Sequence, residues 1–259
     1  MPTALVTGAG HRIGRAIALY LSGRGFDLAV HYAASRQGAQ ETVSSIEAAG
    51  GRAVALQADL LEDTATAAVF DAAAAAFDGP VTCLVNNASI FEYDTIATAT
   101  RDSWDRHMQS NLRAPFLLTQ AMAGQGLAPL VDAAGEPQAT GLVVNMIDQR
   151  VRKLTPEFMT YTLAKMGLWA LTQTAAQALA PAIRVNAIGP GPTLQGGRQS
   201  AEHFAKQRAA TVLERGSNPT DMTAALGYFL DAPAVTGQLL CVDGGQHLAW
   251  QTPDVLGVE

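Results

Sequence analysis

The chain has 259 residues, of which 48% are hydrophobic, and a formal net charge of −6 at pH 7. This length and apolar fraction allow one α/β domain with a large core. The acidic balance argues against a nucleic-acid or anionic-membrane surface, and no uncharged apolar run reaches the ~18 residues that a membrane-spanning helix needs.

Short apolar runs alternate with helical patterns along the whole chain. The runs lack period-two alternation, which is typical of strands buried on both faces of a parallel sheet. We predict strands at 4–7, 28–31, 53–57, 83–86, 142–146, 183–187 and 239–242. We predict helices at 12–24, 36–49, 64–77, 102–123 and 159–179. The alternation predicts an α/β fold with a doubly wound parallel sheet of about seven strands and helices on both faces, in a single domain over residues 1–259.

A glycine-rich turn joins the first strand to the first helix. It reads Thr7-Gly8-Ala9-Gly10-His11-Arg12-Ile13-Gly14. Glycines let the backbone approach a pyrophosphate, and the helix N-terminus favours an anion there. A plain tight turn is the alternative, but the strand–turn–helix context favours a dinucleotide.

The end of the second strand bears on cofactor choice. NAD-preferring proteins place an acid near this point, against the adenosine ribose, and no acid occurs from Leu28 to Gln40. Ser35 and Arg36 suit a 2′-phosphate instead, which predicts NADPH. Alternatively, Ser35 caps the next helix and Arg36 is solvated.

After the third strand, Asp59-Leu60 could set a carboxylate against the adenine amino group. Asp59 could equally be the N-cap of the next helix.

Several further polar or glycine-rich segments follow strands. Thr7, residues 86–91, Asp148 and Gly189-Pro190-Gly191 each stand where a predicted strand ends. Ligands in this fold bind beyond the carboxyl ends of the strands, so we expect these segments to meet in one crevice.

Tyr161 and Lys165 stand four residues apart on a helical pattern, thirteen residues beyond Asp148. That spacing puts both side chains on one helix face, where we expect the ammonium to lower the pKa of the phenol. Such a tyrosine can act as a general acid or base. Asp148 could instead cap a turn, Phe91 could be core packing, and Arg12 could be a solvated helix-start residue.

Together these motifs resemble the short-chain dehydrogenase/reductase family over nearly the whole chain. The pieces that carry the resemblance are Thr7-Gly8 to Gly14, Asn86-Asn87-Ala88, Asn111, Tyr161 with Lys165, Gly189-Pro190-Gly191 and Val242-Asp243-Gly244-Gly245. The resemblance implies a Rossmann-type fold, a nicotinamide cofactor and a homotetramer. The N-terminus has no basic leader before its first strand, so we expect a cytoplasmic protein.

Two departures from the general family pattern point to one branch. Arg12 stands where a glycine is usual, and Asp148 stands where the family usually has a catalytic serine. Both are similar to the pteridine reductases, which reduce pterins and dihydrofolate with NADPH. His31-Tyr32 and the segment 87–91 match that branch as well. Ala33-Ala34 and the loop 192–211 do not.

The branch resemblance implies a role for each matching residue. Tyr161 would be the proton donor, Lys165 would hold the nicotinamide ribose, Asp148 would support proton delivery, and Asn111 would anchor a water linking Lys165 to solvent.

The substrate-binding residues implied by the resemblance are Arg12, Ser89, Phe91 as a stacking lid, Asp148 and Tyr161. The implied cofactor-binding residues are Gly8, Arg12, Ile13, Gly14, His31, Tyr32, Ser35, Arg36, Asp59, Leu60, Asn87, Ala88, Ser89, Met146, Tyr161, Lys165, Pro190 and Gly191. The cofactor part is mainly residues 1–150, and the active site with its substrate loop is 142–212.

Three functions remain open from the sequence. The first is an NADPH-dependent reductase of a pterin or dihydrofolate. The second is a reductase of another carbonyl or imine, with Asp148 an incidental variant. The third is a non-catalytic NADP(H)-binding regulator, which the retained Tyr161, Lys165 and Asn111 disfavour. No metal site is expected, since the two cysteines lack ligand spacing.

Overall fold

The computed structural model describes residues 1–197 and 199–252, so the last residues of the predicted 1–259 domain, and Arg198 in the predicted substrate loop, lie outside the described residues. The strands are β1 Thr3–Val6, β2 Asp27–Tyr32, β3 Ala53–Gln57, β4 Val81–Asn86, β5 Leu130–Val131, β6 Pro137–Gln138, β7 Gly141–Met146, β8 Ile183–Pro190 and β9 Leu239–Val242. The α-helices are α1 Arg12–Gly23, α2 Arg36–Ala48, α3 Asp63–Ala76, α4 Arg101–Met108, α5 Ala114–Gly124, α6 Met159–Leu179, α7 Ala201–Ala209 and α8 Pro219–Asp231.

One seven-stranded sheet organises the molecule, in the order β3-β2-β1-β4-β7-β8-β9. Every neighbouring pair in it is parallel. The predicted doubly wound parallel sheet is therefore confirmed. Strand order reverses between β1 and β4, and the crevice of such a sheet opens at this point.

Side chains of the central strands alternate between two cores. Ala4 and Val6 of β1 face a core shared with α1, α2 and α8, whereas Leu5 faces one shared with α3, α5 and α6. Both faces of the sheet are thus covered, and this explains why the strand segments read as continuous apolar runs. The largest fully buried side chains, Phe70 and Phe229, lie one in each core.

The ends of two strands differ from the sequence predictions in ways that bear on the site. Thr7 lies one residue beyond the end of β1: its amide still donates to the Val85 carbonyl at 3.0 Å, and its hydroxyl accepts from the Asn87 amide after β4. Gly189 and Pro190 belong to β8, because they pair with Cys241 and Val242. Only Gly191 of that motif follows the strand.

The predicted helix 102–123 is divided. A π-helical turn over Gln109–Arg113 separates α4 from α5, and Pro115, which has no amide hydrogen to donate, stands at the start of α5. The turn contains Asn111, so the break lies beside the predicted site. No helix among residues 1–197 and 199–252 is long and apolar enough to cross a bilayer.

Candidate active site

The glycine turn after β1 forms a tight cradle at the N-terminus of α1. Gly8 has a φ of +64°, which favours glycine. A Cβ on Gly14 would lie 2.2 Å from the Gly8 carbonyl oxygen and 2.6 Å from Asn87 Nδ2. His11, the N-cap residue of α1, makes no side-chain capping bond, and the first turn has no acid. The first amides of α1 are therefore open to an anion.

Thr7 and Asn87 tie this turn to the end of β4. The Thr7 hydroxyl accepts hydrogen bonds from the backbone amides of Asn87 and Ala88, both at 2.9 Å. In return, Asn87 Nδ2 donates to the Thr7 carbonyl at 2.8 Å. The two strand ends that flank the crevice are thus held at a fixed separation.

His31 supports the turn from behind. Its buried ring accepts a hydrogen bond from the Gly8 amide at Nδ1, 3.1 Å away, and Nε2 lies 3.1 Å from the Ala58 carbonyl. Those partners require a neutral ring with its proton on Nε2. Burial lowers the pKa of His31, against the effect of the Ala58 bond, and so favours this form.

A cleft of about 570 Å³ opens beside the turn, a volume suited to a small ligand. It is lined by these predicted cofactor residues: Gly8, Arg12, Ile13, Gly14, His31, Tyr32, Ser35, Asp59, Leu60, Asn87, Ala88 and Ser89. Another concavity, of about 650 Å³ against α4 and α5, holds none of the predicted site residues. We therefore take the cleft at the carboxyl ends of the strands as the candidate cofactor site.

The structure bears differently on the two capping alternatives, Ser35 and Asp59. Ser35 is the N-cap residue of α2, but its hydroxyl makes no capping bond. Asp59 accepts from the Leu61 amide at 3.0 Å, whereas the N-cap residue of α3 is Glu62. Arg36 follows Ser35 as an exposed residue on the first turn of α2.

Asp148 and Tyr161 form a hydrogen-bonded pair. The Tyr161 hydroxyl donates to Asp148 Oδ2 at 2.9 Å, and the other carboxylate oxygen accepts from the Arg150 amide at 2.8 Å. Asp148 therefore caps the short 3₁₀ turn Gln149–Arg152 and also holds the phenol. Burial raises the pKa of Asp148, although the Arg150 amide and cation, Tyr161 and Lys165 act in the opposite direction.

The expected lowering of the Tyr161 pKa is not found. Burial raises the pKa of Tyr161 well above its ordinary value, and the neighbouring Asp148 adds to the rise. Lys165 Nζ lies 5.7 Å from the Tyr161 ring centroid and donates to the Met146 carbonyl at 2.8 Å. The carboxylate contacts the phenol directly and the ammonium does not, so the carboxylate has the larger effect.

Lys165 is almost completely buried, and its hydrogen bond to the Met146 carbonyl uses one of three ammonium donors. Burial lowers its pKa to about 8, and the Asp148 carboxylate opposes that decrease. The other N–H donors of this buried ammonium can bind hydroxyl groups of a ligand.

Asn111 holds the segment after β4. Its Oδ1 accepts from the Ile90 amide at 2.9 Å and its Nδ2 donates to the Ile90 carbonyl at 2.8 Å. Both polar atoms of the Asn111 side chain thus bind the Ile90 backbone. That Asn111 anchors a water linking Lys165 to solvent remains a prediction.

Three aromatic rings form the wall beside Tyr161. Phe91 contacts the Tyr161 ring edge-on at 4.7 Å between centroids, and it stacks on Phe158 at 4.3 Å with an interplanar angle of 6°. Tyr93 meets Phe158 edge-on at 5.2 Å. Phe91 is 45% exposed, so it is not core packing, and its role as a stacking lid remains a prediction. Phe158 was not predicted, because an aromatic residue before a helix carries no local signal.

Arg12 contacts the loop that follows β8. Its guanidinium donates to the carbonyls of Gln195 at 2.9 Å and Leu194 at 3.1 Å. Its φ is +55°, so it occupies the left-handed region where glycine is favoured. Arg12 thus links the glycine turn to the predicted substrate loop and is not merely a solvated residue.

A buried polar chain behind Tyr161 was also missed from the sequence. His107 Nδ1 donates to Thr160 Oγ1 at 2.7 Å, and Thr160 donates to Asp94 Oδ2 at 2.5 Å. The His107 tautomer follows from the Glu92 amide, which donates to Nε2 at 3.1 Å. The chain fastens the segment of Phe91 to the start of α6. Only the position of Thr160, next to Tyr161, could have signalled it.

The chain is similar to known proteins over nearly its whole length. A family model described as enoyl-(acyl carrier protein) reductase matches residues 8–247. A structure of FolM alternative dihydrofolate reductase 1 from Brucella suis in complex with NADP superposes with a TM-score of 0.90 at 42% identity, covering 98% of both chains.

Two relatives have other substrates. The 3beta-hydroxysteroid dehydrogenase 1 of Eggerthella lenta is 33% identical over 95% of this chain and 94% of its own. A 3-oxoacyl-[acyl-carrier-protein] reductase FabG of Staphylococcus epidermidis is 30% identical over 95% of this chain and 99% of its own.

Among the described residues, no cluster of His, Cys, Asp or Glu could hold a metal.

Proposed function

This chain belongs to the short-chain dehydrogenase/reductase family, and on that premise we propose that it is an NADPH-dependent reductase of a reduced pterin or of dihydrofolate. The observation that carries the substrate class is the Asp148 carboxyl group, 2.9 Å from the hydroxyl of the proposed proton donor Tyr161. A carboxylate there would repel the oxyanion that develops when a ketone is reduced. A ring nitrogen that must gain a proton suits it better.

The described residues fit the cofactor. The glycine cradle leaves no room for a Cβ at Gly14, and the His11 side chain does not cap α1. Within the described part of the chain, the Lys165 hydrogen bond uses one of its three ammonium donors. NADP present in the Brucella suis structure supports NADPH here. We propose that Ser35 and Arg36 contact the 2′-phosphate, that the first 150 residues supply most cofactor contacts, and that residues 142–212 surround the substrate.

The proposed chemistry needs one hydride and one proton. Bound NADPH supplies the hydride for a C=N bond of the substrate. Tyr161 donates its proton to the ring nitrogen. The Asp148 carboxylate, whose pKa is raised by burial, then takes up a proton from solvent and passes it to the phenolate, which restores the phenol. Lys165 holds the nicotinamide ribose, and Phe91 packs against the flat substrate, a contact worth about 0.5–1.5 kcal/mol beyond area burial.

The test is NADPH oxidation with dihydrobiopterin, dihydromonapterin and dihydrofolate, beside a 3-oxoacyl thioester, a 3-ketosteroid and simple imines. The last three represent the substrates of the other relatives and the alternative function. We expect turnover with at least one dihydropterin or dihydrofolate, and its loss in Tyr161→Phe. Ready turnover of ketones with all reduced pterins and folates untouched would overturn the proposal.

We further propose a cytoplasmic homotetramer. Phe116 on α5 and Leu163 and Met166 on α6 are apolar and exposed, and such faces are typical of subunit interfaces. Light scattering after size-exclusion chromatography tests the assembly, and a monomeric mass would contradict it.

A further inference from the structure

We propose that Arg150 is a positioning residue for proton transfer, which sets the charge around the Asp148–Tyr161 pair and fixes the aromatic wall beside it. The sequence singled out Asp148 but assigned nothing to the arginine two residues later. The inference rests on the proposed role of Tyr161 as proton donor.

The first observation is a continuous column of side chains. The Arg150 guanidinium lies 5.1 Å from the centroid of the Phe158 ring. Phe158 stacks on Phe91, and Phe91 contacts Tyr161. A cation over one ring face therefore supports the ring on which the substrate would rest.

The second observation is how the guanidinium is held. One terminal nitrogen donates to the Thr155 hydroxyl, while Nε is buried without a hydrogen-bond acceptor among the described residues. Arg150 forms no salt bridge with another described residue. Its charge is thus not neutralised by a direct ion pair in the described part of the chain, and it acts on the nearest buried acid.

The third observation is that this charge reaches both members of the pair. The Arg150 cation lowers the pKa of Asp148 and of Tyr161, against the larger effect of burial on each. The other groups facing the pair are Lys165 on α6, His107 on α4, whose ring centroid is 6.0 Å from that of Tyr161, the Ser89 hydroxyl after β4 and the Cys241 thiol on β9. His107 is buried with a lowered pKa, so it favours the neutral form. Burial raises the pKa of the Cys241 thiol to about 11, and Asp148 adds to the rise, so the thiol is neutral near pH 7. Arg150 and Lys165 are therefore the cations among the described residues that act on the pair.

Two substitutions separate the proposed roles. Arg150→Met removes the charge and keeps much of the apolar stem, whereas Arg150→Lys keeps the charge and loses the planar group over Phe158. Arg152→Met is the matched control, because Arg152 belongs to the same 3₁₀ turn but its guanidinium lies over Trp169, 5.5 Å from the ring centroid.

The first readout is the carbon-13 NMR titration of the Asp148 carboxyl, assigned by its absence in Asp148→Asn. It needs no substrate and therefore stands even if the pterin proposal fails. We expect Arg150→Met to move the titration midpoint of the Asp148 carboxyl to higher pH. Arg150→Lys and Arg152→Met should leave that midpoint close to the wild-type value. An unmoved titration in folded Arg150→Met, as judged by its melting curve, would overturn the electrostatic role.

The second readout is kinetic, with whichever substrate the enzyme reduces and with NADPH saturating. The alkaline limb of kcat should move to higher pH in Arg150→Met, because the pair keeps its protons longer. In Arg150→Lys, kcat should be retained while the substrate KM rises about two- to tenfold. Equal KM values in wild type and Arg150→Lys would overturn the role in the aromatic wall.

Discussion

Replacing Asp148 with asparagine tests the proton supply most directly. The substitution keeps the shape of the side chain and still allows a hydrogen bond with Tyr161, now 2.9 Å from a carboxylate oxygen. An amide cannot release a proton to the phenol. We therefore expect kcat to fall, even though the same change removes a group that raises the pKa of Tyr161.

The magnitude follows from the charge that the hydrogen bond loses. A hydrogen bond to a charged group contributes about 1.5–3 kcal/mol, against about 1 kcal/mol for a neutral one. If this difference of about 0.5–2 kcal/mol is lost in the transition state, kcat decreases roughly 2- to 30-fold. The assay is NADPH oxidation at saturating cofactor and substrate, with the melting temperature as the folding control.

Cofactor affinity supplies a second result from the same variant. Lys165 loses its proton as pH rises through about 8, and Asp148 is the group that opposes this lowering of its pKa. NADPH binding should therefore weaken above about pH 8 in the wild type, and the weakening should begin at lower pH in Asp148→Asn. Titrations by nicotinamide fluorescence measure both. An unchanged or faster kcat, with an unshifted affinity profile, would refute the reasoning.

Three further outcomes are expected. Tyr161→Phe should lose most turnover while its NADPH dissociation constant stays near the wild-type value, because the phenol acts only during reaction; wild-type turnover would exclude it as donor. Gly14→Ala should abolish measurable NADPH binding, because the new Cβ would lie 2.2 Å from the Gly8 carbonyl oxygen. Gly23→Ala in the same helix is the control: its Cβ meets no atom within 4 Å, and the change should raise the free energy of unfolding by about 0.5–1 kcal/mol. NADPH should bind more tightly than NADH by a margin that shrinks in Arg36→Ala; equal dissociation constants in the wild type would contradict the proposed contact of Ser35 and Arg36 with the 2′-phosphate.

The sheet could be predicted because its signal is local. Each central strand is apolar on both faces, and each crossover helix has its own periodic face. The predicted boundaries at Thr7 and Pro190 were wrong because they depend on partners far along the chain, Asn87 after β4 for the first and Val242 in β9 for the second.

One helix that was not predicted, α8, has readable signals in the sequence. It begins at Pro219 after the N-cap residue Asn218, and the Asn218–Asp221 pair forms a capping box. Its buried Met222, Leu226 and Phe229 also recur at helical spacing.

The residues of the candidate site could be predicted from the sequence, but the direction of the Tyr161 pKa shift could not. The four-residue spacing puts Tyr161 and Lys165 on one face of α6, but it does not say where the ammonium points. The structure directs it to the Met146 carbonyl and leaves Asp148 nearest the phenol. The sign of the Tyr161 pKa shift depends on that choice of neighbours, which no spacing rule contains.

The packing of α1 on α8 has a consequence for synthesis of the chain. Ile17 and Leu21 share one core with Leu226 and Phe229, and an ion pair joins Arg24 to Asp231, 207 positions further along. Helix α1 is synthesised well before α8, which covers part of its apolar face. Until α8 has been made, the Ile17 and Leu21 face of α1 lacks this partner, so the nascent chain carries apolar surface that the folded protein buries.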